Sequence, residues 1–383
     1  MIPDLPSFIM GGYECADHIN RSGLRINLHQ VTEHDLRARE DFTDLAGLGI
    51  RVVREGICWS AVETTPYQFD FSEVANRLRA AHTAGLEVIW DLCHFGYPDG
   101  LFPTHPQFTP RFVALCRAFA QWHQAVTDTT LYVVPINEIS FLSWHSGDVR
   151  GTVPFATNSG WDMKWHLCRA AIQGIRALRD TDPGCRIVTI EPLIRVHGHG
   201  GSDFGHIARM NNDQFQAMDI IGGRMCPELG GREEFLDLLG FNYYYNGQWT
   251  DGVGALPWPE EEPRRRVPLH EVLLGAYYRY RRPFFLSETG HFGDERPRWL
   301  AEVTAAARRV IAQTPDFFGV CIYPVLDRPD WDDLTSYSNC GLWDLDENNN
   351  RVPHLRSLAA LQDMQRALEP SREQPRSATL QRL

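Results

Sequence analysis

The sequence predicts a single (β/α)8 barrel, and three observations carry that prediction. Eight short apolar runs recur along the 383 residues. Segments of helical character separate them, and such alternation implies parallel strands. Several runs end in a polar or charged residue, where barrel enzymes keep their chemistry. The rival architecture, an open doubly wound sheet, usually carries a GxGxxG turn after its first strand. Gly11-Gly12 does not fit that pattern. Barrels of this length are common as one unit. Residues 1–369 are therefore read as the barrel, and the polar tail 370–383 as disordered.

Phe8 to Gly12 is the first apolar run, followed by a polar cluster of Glu14, Asp17 and His18. Thr32 and Asp35 have capping-box spacing and open a helix that stops at Gly47-Leu48-Gly49. Ile50 to Trp59 holds the second strand and its exit loop, with Arg54 and Glu55 side by side. Ser72 caps a helix reaching Ala84, and Leu86 to Gly96 contains the third strand and His94. Thr109-Pro110 starts a helix with proline in its first turn. Its apolar stripe is Phe112, Leu115, Phe119, Trp122 and Val126.

Leu131 to Glu138 is the fourth strand, and a long polar and aromatic loop follows it. Asp162 opens the next helix, and Arg186 to Pro192 is the fifth strand. His197 to Gly205 reads as loop, and Asp213 to Met218 as a weak helix. Phe235 to Tyr244 is the sixth strand, and 257–268 is a proline-rich, charged insertion. Helices at 269–279, 297–313 and 353–368 flank the seventh strand, Pro283 to Glu288, and the eighth, Phe317 to Leu326.

Net charge is −12, with 49 acidic residues against 37 basic ones. No long basic run is present, which disfavours nucleic-acid and anionic-membrane partners. No apolar run approaches the ~18 residues of a membrane span. The N-terminus lacks the basic and apolar regions of a secretory leader. The nine cysteines are scattered without CxxC spacing and read as buried free thiols. These features lead to an expected cytoplasmic location.

The strand ends collect Arg54, His94, Asn137, Glu138, Tyr244 and Glu288, with Trp331 after the last strand. Glu138 and Glu288 end strands four and seven, which face each other across a barrel mouth. Each follows a continuous apolar run, unlike an ordinary solvated glutamate. Two carboxyl groups flanking a bond are what glycoside hydrolysis requires. One must be protonated to assist the leaving group, and the other ionised to attack the anomeric carbon. Arg54 would hold Glu288 ionised, and Asn137 would offer an amide to a sugar hydroxyl. Tyr243 should point away from Tyr244 by strand alternation, and Trp59 reads as packing. His197, His199 and His206 have a zinc-like spacing, but a flexible glycine-rich loop explains them better. Glu14, Glu55 and Glu191 stay unassigned.

At this point the sequence resembles the clan A glycoside hydrolases, most closely family 1, from Phe8 to about Pro353. The resemblance rests on six short motifs in order: Arg54 to Trp59, His94 to Pro98, Asn137-Glu138, Gly240 to Tyr244, Ser287 to Gly290, and Gly341 to Asp346. It implies Glu138 as acid/base, Glu288 as nucleophile and Tyr244 as the nucleophile's hydrogen-bond partner. It also implies His94, Asn137, Asp330 and Trp331 as contacts of the reacting sugar, and chemistry without a metal or other cofactor. The departures are Tyr323 at the family's tryptophan platform, Asp330-Trp331 for its Glu-Trp pair, Ile139 for a proline, and no strand-one glutamine. They touch the sugar pocket more than the reacting pair. A retaining β-glycosidase of small β-glycosides is the implied activity. Transglycosylation by the same intermediate and a non-catalytic sugar-binding barrel are the alternatives. A 6-phospho sugar is disfavoured, because Arg328 is the sole basic residue between Leu326 and Trp331.

Overall fold

A computed structural model describes residues 2–258 and 265–369. The tail at 370–383 and the middle of the 257–268 insertion lie outside the described residues. The eight strands are β1 Ile9–Gly12, β2 Val52–Gly56, β3 Glu87–Asp91, β4 Tyr132–Val134, β5 Arg186–Pro192, β6 Leu238–Asn242, β7 Phe284–Thr289 and β8 Phe317–Ile322. They pair in parallel, each with its sequence neighbour, and β8 returns to β1 to close the barrel. Closure leaves the barrel no free strand edge.

Alternation along each strand divides the core into two layers. Met10, Val52, Ile89, Val188, Ile190, Phe285 and Phe318 fill the barrel interior, where Phe285 and Phe318 stack at 4.9 Å. Their neighbours Val53, Trp90, Ile187, Phe284 and Leu286 face the surrounding helices. Those helices include α1 His34–Gly47, α2 Ser72–Ala84, α3 Phe108–Val126, α4 Ile139–Gly147, α5 Gly160–Thr181, α6 Phe204–Asp213, α7 Gln216–Ile221, α8 Leu269–Tyr280, α9 Arg296–Ile311 and α10 Leu355–Leu368. The strand positions and most helices lie within a few residues of expectation.

Four local expectations are corrected. Thr32 is not a cap: its hydroxyl donates to the Leu28 carbonyl at 2.7 Å, and α1 begins after Glu33 in a left-handed conformation. The Ser72 amide instead donates to Asp70 Oδ1 at 2.9 Å, so Asp70 performs the capping expected of Ser72. The segment after strand four, read as loop, forms α4; its sequence ISFLSWHSG has no polar face to reveal a helical period. Between 195 and 221 there is a short strand, Arg195–His197, and then α6 and α7 rather than one weak helix. Asp203 caps α6 by accepting from the amides of Gly205 and His206.

The same alternation separates Arg54 from Glu55. Arg54 points into the barrel, while Glu55 points outward beneath α1 and α2 and becomes the hub of a buried charge network. Its two oxygens lie 2.8 Å from His29 Nε2 and 2.9 Å from His34 Nε2, with Arg77 Nε at 3.3 Å. His34 continues to Asp41, which is paired with Arg351 at 2.6 Å. Burial disfavours the Glu55 charge, but the two histidines more than offset it and hold its carboxyl far below the usual range. Burial likewise opposes charge on His34, and Glu55 and Asp41 outweigh it, raising its pKa above 6.5.

Stability drawn from Glu55 is therefore present above its ordinary range and lost on acidification. Stability drawn from His34 is complete below pH 6.5 and lost as pH rises through its raised value. Glu55→Gln should lower unfolding free energy by about 3 kcal/mol, the scale of breaking a buried ion pair. The check is the urea midpoint of the variant against wild type at neutral pH. An unchanged midpoint would remove the hub role.

Candidate active site

The C-terminal ends of the strands open on a cavity of about 390 Å³. Glu138 and Glu288 both line it, together with His94, Tyr244, Tyr323 and Trp331. Each carboxylate is placed by a local irregularity of its chain. In β7, Phe285 faces the barrel interior, so strict alternation would send Glu288 outward. A register shift between Leu286 and Glu288 breaks that alternation, as bulges near active sites do. Glu288 then enters the cavity, while Thr289 turns outward and accepts from the Trp299 indole at 2.9 Å.

Glu138 sits between β4 and α4 with a φ of 45°. A left-handed non-glycine residue costs roughly 1 kcal/mol or more. Here the Glu138 amide donates to the Ile190 carbonyl at 3.1 Å, and Leu142 closes the first turn of α4 on the Glu138 carbonyl.

The two carboxyl groups have opposite surroundings. Glu288 Oε1 accepts from Arg54 Nη1 at 2.5 Å, and Oε2 accepts from the Tyr244 hydroxyl at 2.8 Å. Both oxygens thus have a donor, one of them cationic, and charge-assisted hydrogen bonds of this kind are the stronger ones. Arg54 is fixed in turn. It donates to Asp91 through Nε and Nη2, and Nη2 also reaches Asn137 Oδ1 at 2.8 Å. Glu138 has a neutral partner, Asn242 Nδ2, at 2.8 Å. Ser287 Oγ donates to Asn242 Oδ1 at 2.6 Å, which orients that amide toward Glu138. Burial and then the nearby Glu288 charge push Glu138 well above the usual carboxylate range, against the Asn242 hydrogen bond.

His94 shares Asp91 with Arg54 at 2.8 Å through Nδ1. Its Nε2 is 3.5 Å from Glu14 Oε1. Burial disfavours its charge, but the Asp91 hydrogen bond and the Glu14 and Asp91 carboxylates raise its pKa overall. Tyr323 lies almost parallel to the His94 ring and donates to Glu14 at 3.4 Å. Its ring also covers Gly12: a Cβ there would meet the Tyr323 ring at 2.4 Å, so this strand end must remain glycine.

Of the residues expected in the site, Glu138, Glu288, His94, Tyr244 and Trp331 face the cavity. Arg54 and Asn137 stand behind its surface, holding Glu288 and each other. Asp330 is corrected: it is exposed, does not line the cavity, and accepts from the Asp332 amide in a local turn. Arg328 and Glu14 line the cavity instead. Tyr243 points outward as expected, buried and bonded to Gln248. Glu191 lies behind Glu138 and accepts from the Ser140 amide at 3.1 Å; burial lifts it to about 7.

Asn242 was missed as a partner of Glu138, although its alternation with Tyr244 on one strand face was a usable signal. His197 bonds Gln248, whereas His199 and His206 are exposed. Among the described residues, the groups close enough to share a metal are Cys15-Asp91-His94 and His29-His34-Glu55. In the first, Asp91 is engaged by Arg54, and burial keeps the Cys15 thiol protonated. In the second, Arg77 already supplies the cation.

No helix among the described residues is long and apolar enough to cross a membrane. No protein-family profile matches the sequence, and no curated protein does. Solved structures do match. A family 1 β-glucosidase from Thermotoga maritima superposes with a TM-score of 0.75 at 15% identity, covering 95% of this chain and 98% of that one. The β-glucosidase from Thermotoga maritima in complex with glucoimidazole gives 0.74 at 14% identity, with the same coverage of both chains. The AHE enzyme from Alicyclobacillus herbarius gives 0.76 at 16%, covering 96% of this chain and all of that one. Over nearly its whole described length, then, this chain has the (β/α)8 fold of family 1 β-glucosidases.

Proposed function

We propose that the protein is a retaining β-glycosidase that hydrolyses small β-glycosides through a covalent glycosyl-enzyme intermediate. One observation carries the reading: two carboxyl groups share one cavity, and their surroundings divide the roles of acid and nucleophile between them. In the first step the Glu288 carboxylate attacks the anomeric carbon. The bond to the glycosidic oxygen breaks, and protonated Glu138 gives that oxygen its proton. In the second step the Glu138 carboxylate takes a proton from water, whose oxygen attacks the same carbon. The ester to Glu288 breaks, and both carboxyl groups return to their starting forms. Arg54 and Tyr244 hold Glu288 on line and stabilise it as the departing carboxylate.

The cavity also suits a small apolar or aryl aglycone. Pro192, Leu193, Ile194, Tyr245, Trp249 and Phe292 line it. Solved neighbours include a β-glucosidase bound to glucoimidazole, which is in keeping with a sugar in the corresponding space.

The test is a panel of nitrophenyl α- and β-glycosides, with the first-formed product anomer read by proton NMR. Turnover of β-glycosides with the β-hemiacetal appearing first is the expected result. A first-formed α-hemiacetal would replace the retaining reading with an inverting one. Binding of glycosides without turnover across the panel would favour a sugar-binding barrel.

A further inference from the structure

Beside the reacting pair, the cavity has a second charged corner, formed by His94, Glu14 and Arg328. Among the described residues lining the cavity, Arg328 is the one arginine or lysine. Its side chain is largely buried, at 19% exposure, and its guanidinium lies 5.7 Å from the Trp331 ring centroid.

The donors and acceptors of this corner are unevenly matched. One oxygen of Glu14 is well supplied. Its Oε1 accepts from the Ala16 amide at 3.1 Å and from the Tyr323 hydroxyl at 3.4 Å, with His94 Nε2 at 3.5 Å. Arg328 is not. A guanidinium carries five N–H donors, and Arg328 makes a hydrogen bond through Nη1 to its neighbour's carbonyl, Pro329 O, at 3.0 Å. Its Nε is buried without a hydrogen bond, and the closest approach to Glu14 is 3.7 Å, a loose ion pair. A buried cation with unused donors is costly unless a ligand completes it. His94 Nε2 lies beside the same carboxylate, while its Nδ1 is held by Asp91 at 2.8 Å. Arg328 therefore keeps donors that Glu14 does not take up.

We propose that Arg328 binds a carboxylate on the sugar ring, so that the preferred substrate is the β-glycoside of a uronic acid. This rests on the β-glycosidase reading. A planar guanidinium matches a carboxylate through two parallel hydrogen bonds. A single arginine is also better matched to the one charge of a carboxylate than to a phosphate dianion. The ring itself lies between the reacting pair and this corner, over Tyr323 and against Trp331. Glu14 Oε1 is engaged by Ala16 and Tyr323, which leaves guanidinium donors of Arg328 for the ligand.

The test compares kcat/KM for 4-nitrophenyl β-D-glucuronide, β-D-galacturonide, β-D-glucoside and β-D-glucoside 6-phosphate, in wild type and Arg328→Gln. Wild type should favour a uronide over the matching neutral glycoside by at least tenfold. The variant should lower that ratio by roughly 10- to 100-fold, the scale of a hydrogen bond to a charged group. A neutral glycoside preferred by wild type, or equal losses on both substrates in the variant, would overturn the proposal. Preference for the 6-phosphate would replace the carboxylate with a phosphate.

Binding of D-glucuronate and D-glucose, measured by calorimetry, needs no turnover and separates the two readings. Tighter glucuronate binding that Arg328→Gln abolishes, in a protein that cleaves nothing, would keep the uronate site and remove the glycosidase. Equal or weaker glucuronate binding removes the uronate site whatever the turnover.

Discussion

Glu288→Ala should abolish hydrolysis of an activated aryl β-glycoside, lowering kcat by about 10⁴-fold or more, the scale seen when a covalent nucleophile is lost. The loss follows from what surrounds the side chain. Arg54 and Tyr244 bind two oxygens that the variant no longer has. Water placed there is a far weaker nucleophile than a carboxylate held on line. Added azide should restore turnover of the variant by entering the vacated space, and the product should be the α-glycosyl azide, made by one inversion. Turnover near the wild-type rate without azide would remove Glu288 from the reaction. Folding is checked independently by the thermal midpoint.

Glu138→Ala should instead produce a loss that depends on the leaving group. General acid assistance contributes roughly 10²–10⁴-fold, and an aglycone that departs readily as an anion needs little of it. The variant should therefore lose most on alkyl glycosides and least on dinitrophenyl glycosides, with azide giving the β-glycosyl azide. Wild type also has a predictable pH dependence. Burial and the Glu288 charge raise Glu138 well above the ordinary range, so the acid form persists to higher pH than in an ordinary carboxyl group. Activity falls as pH rises through that raised value, because the proton to be donated is then lost. In Glu288→Gln the neighbouring charge is absent, and the pKa of Glu138 should fall. A titration of Glu138 unchanged in that variant would leave burial as the whole cause.

Much of this was legible in the sequence because barrel strands are short, buried on both faces and bounded by glycine or proline. Arg186 to Pro192 is read to the residue for that reason. Glu138 and Glu288 were legible because each ends an apolar run, where a solvated glutamate is out of place. What strand periodicity could not supply was the fine aim of each side chain. Alternation alone would turn Glu288 outward, and the register shift in β7 that corrects it has no sequence mark beyond the Ser287-Glu288-Thr289 run.

The pocket wall after β8 was harder. Asp330 was expected to touch sugar from its place beside Trp331, yet it is spent on a local turn with Asp332 while Arg328 takes the cavity. Irregular loops lack the two-residue period that tells inside from outside. The role of Glu55 required three-dimensional knowledge for another reason: its partners His29, His34 and Arg77 come from segments that only closure of the helix layer brings together.

In the proposed mechanism Glu288 becomes covalently bonded to sugar. Incubation with a 2-deoxy-2-fluoro β-glycosyl fluoride, made from whichever sugar the protein turns over, should inactivate it and add one fluoroglycosyl unit to the intact mass. Peptide mapping should place that mass on the fragment containing Ser287-Glu288-Thr289, and Glu288→Gln should take up none. A label on any other peptide, or turnover of the parent glycoside with no covalent adduct under trapping conditions, would contradict the account.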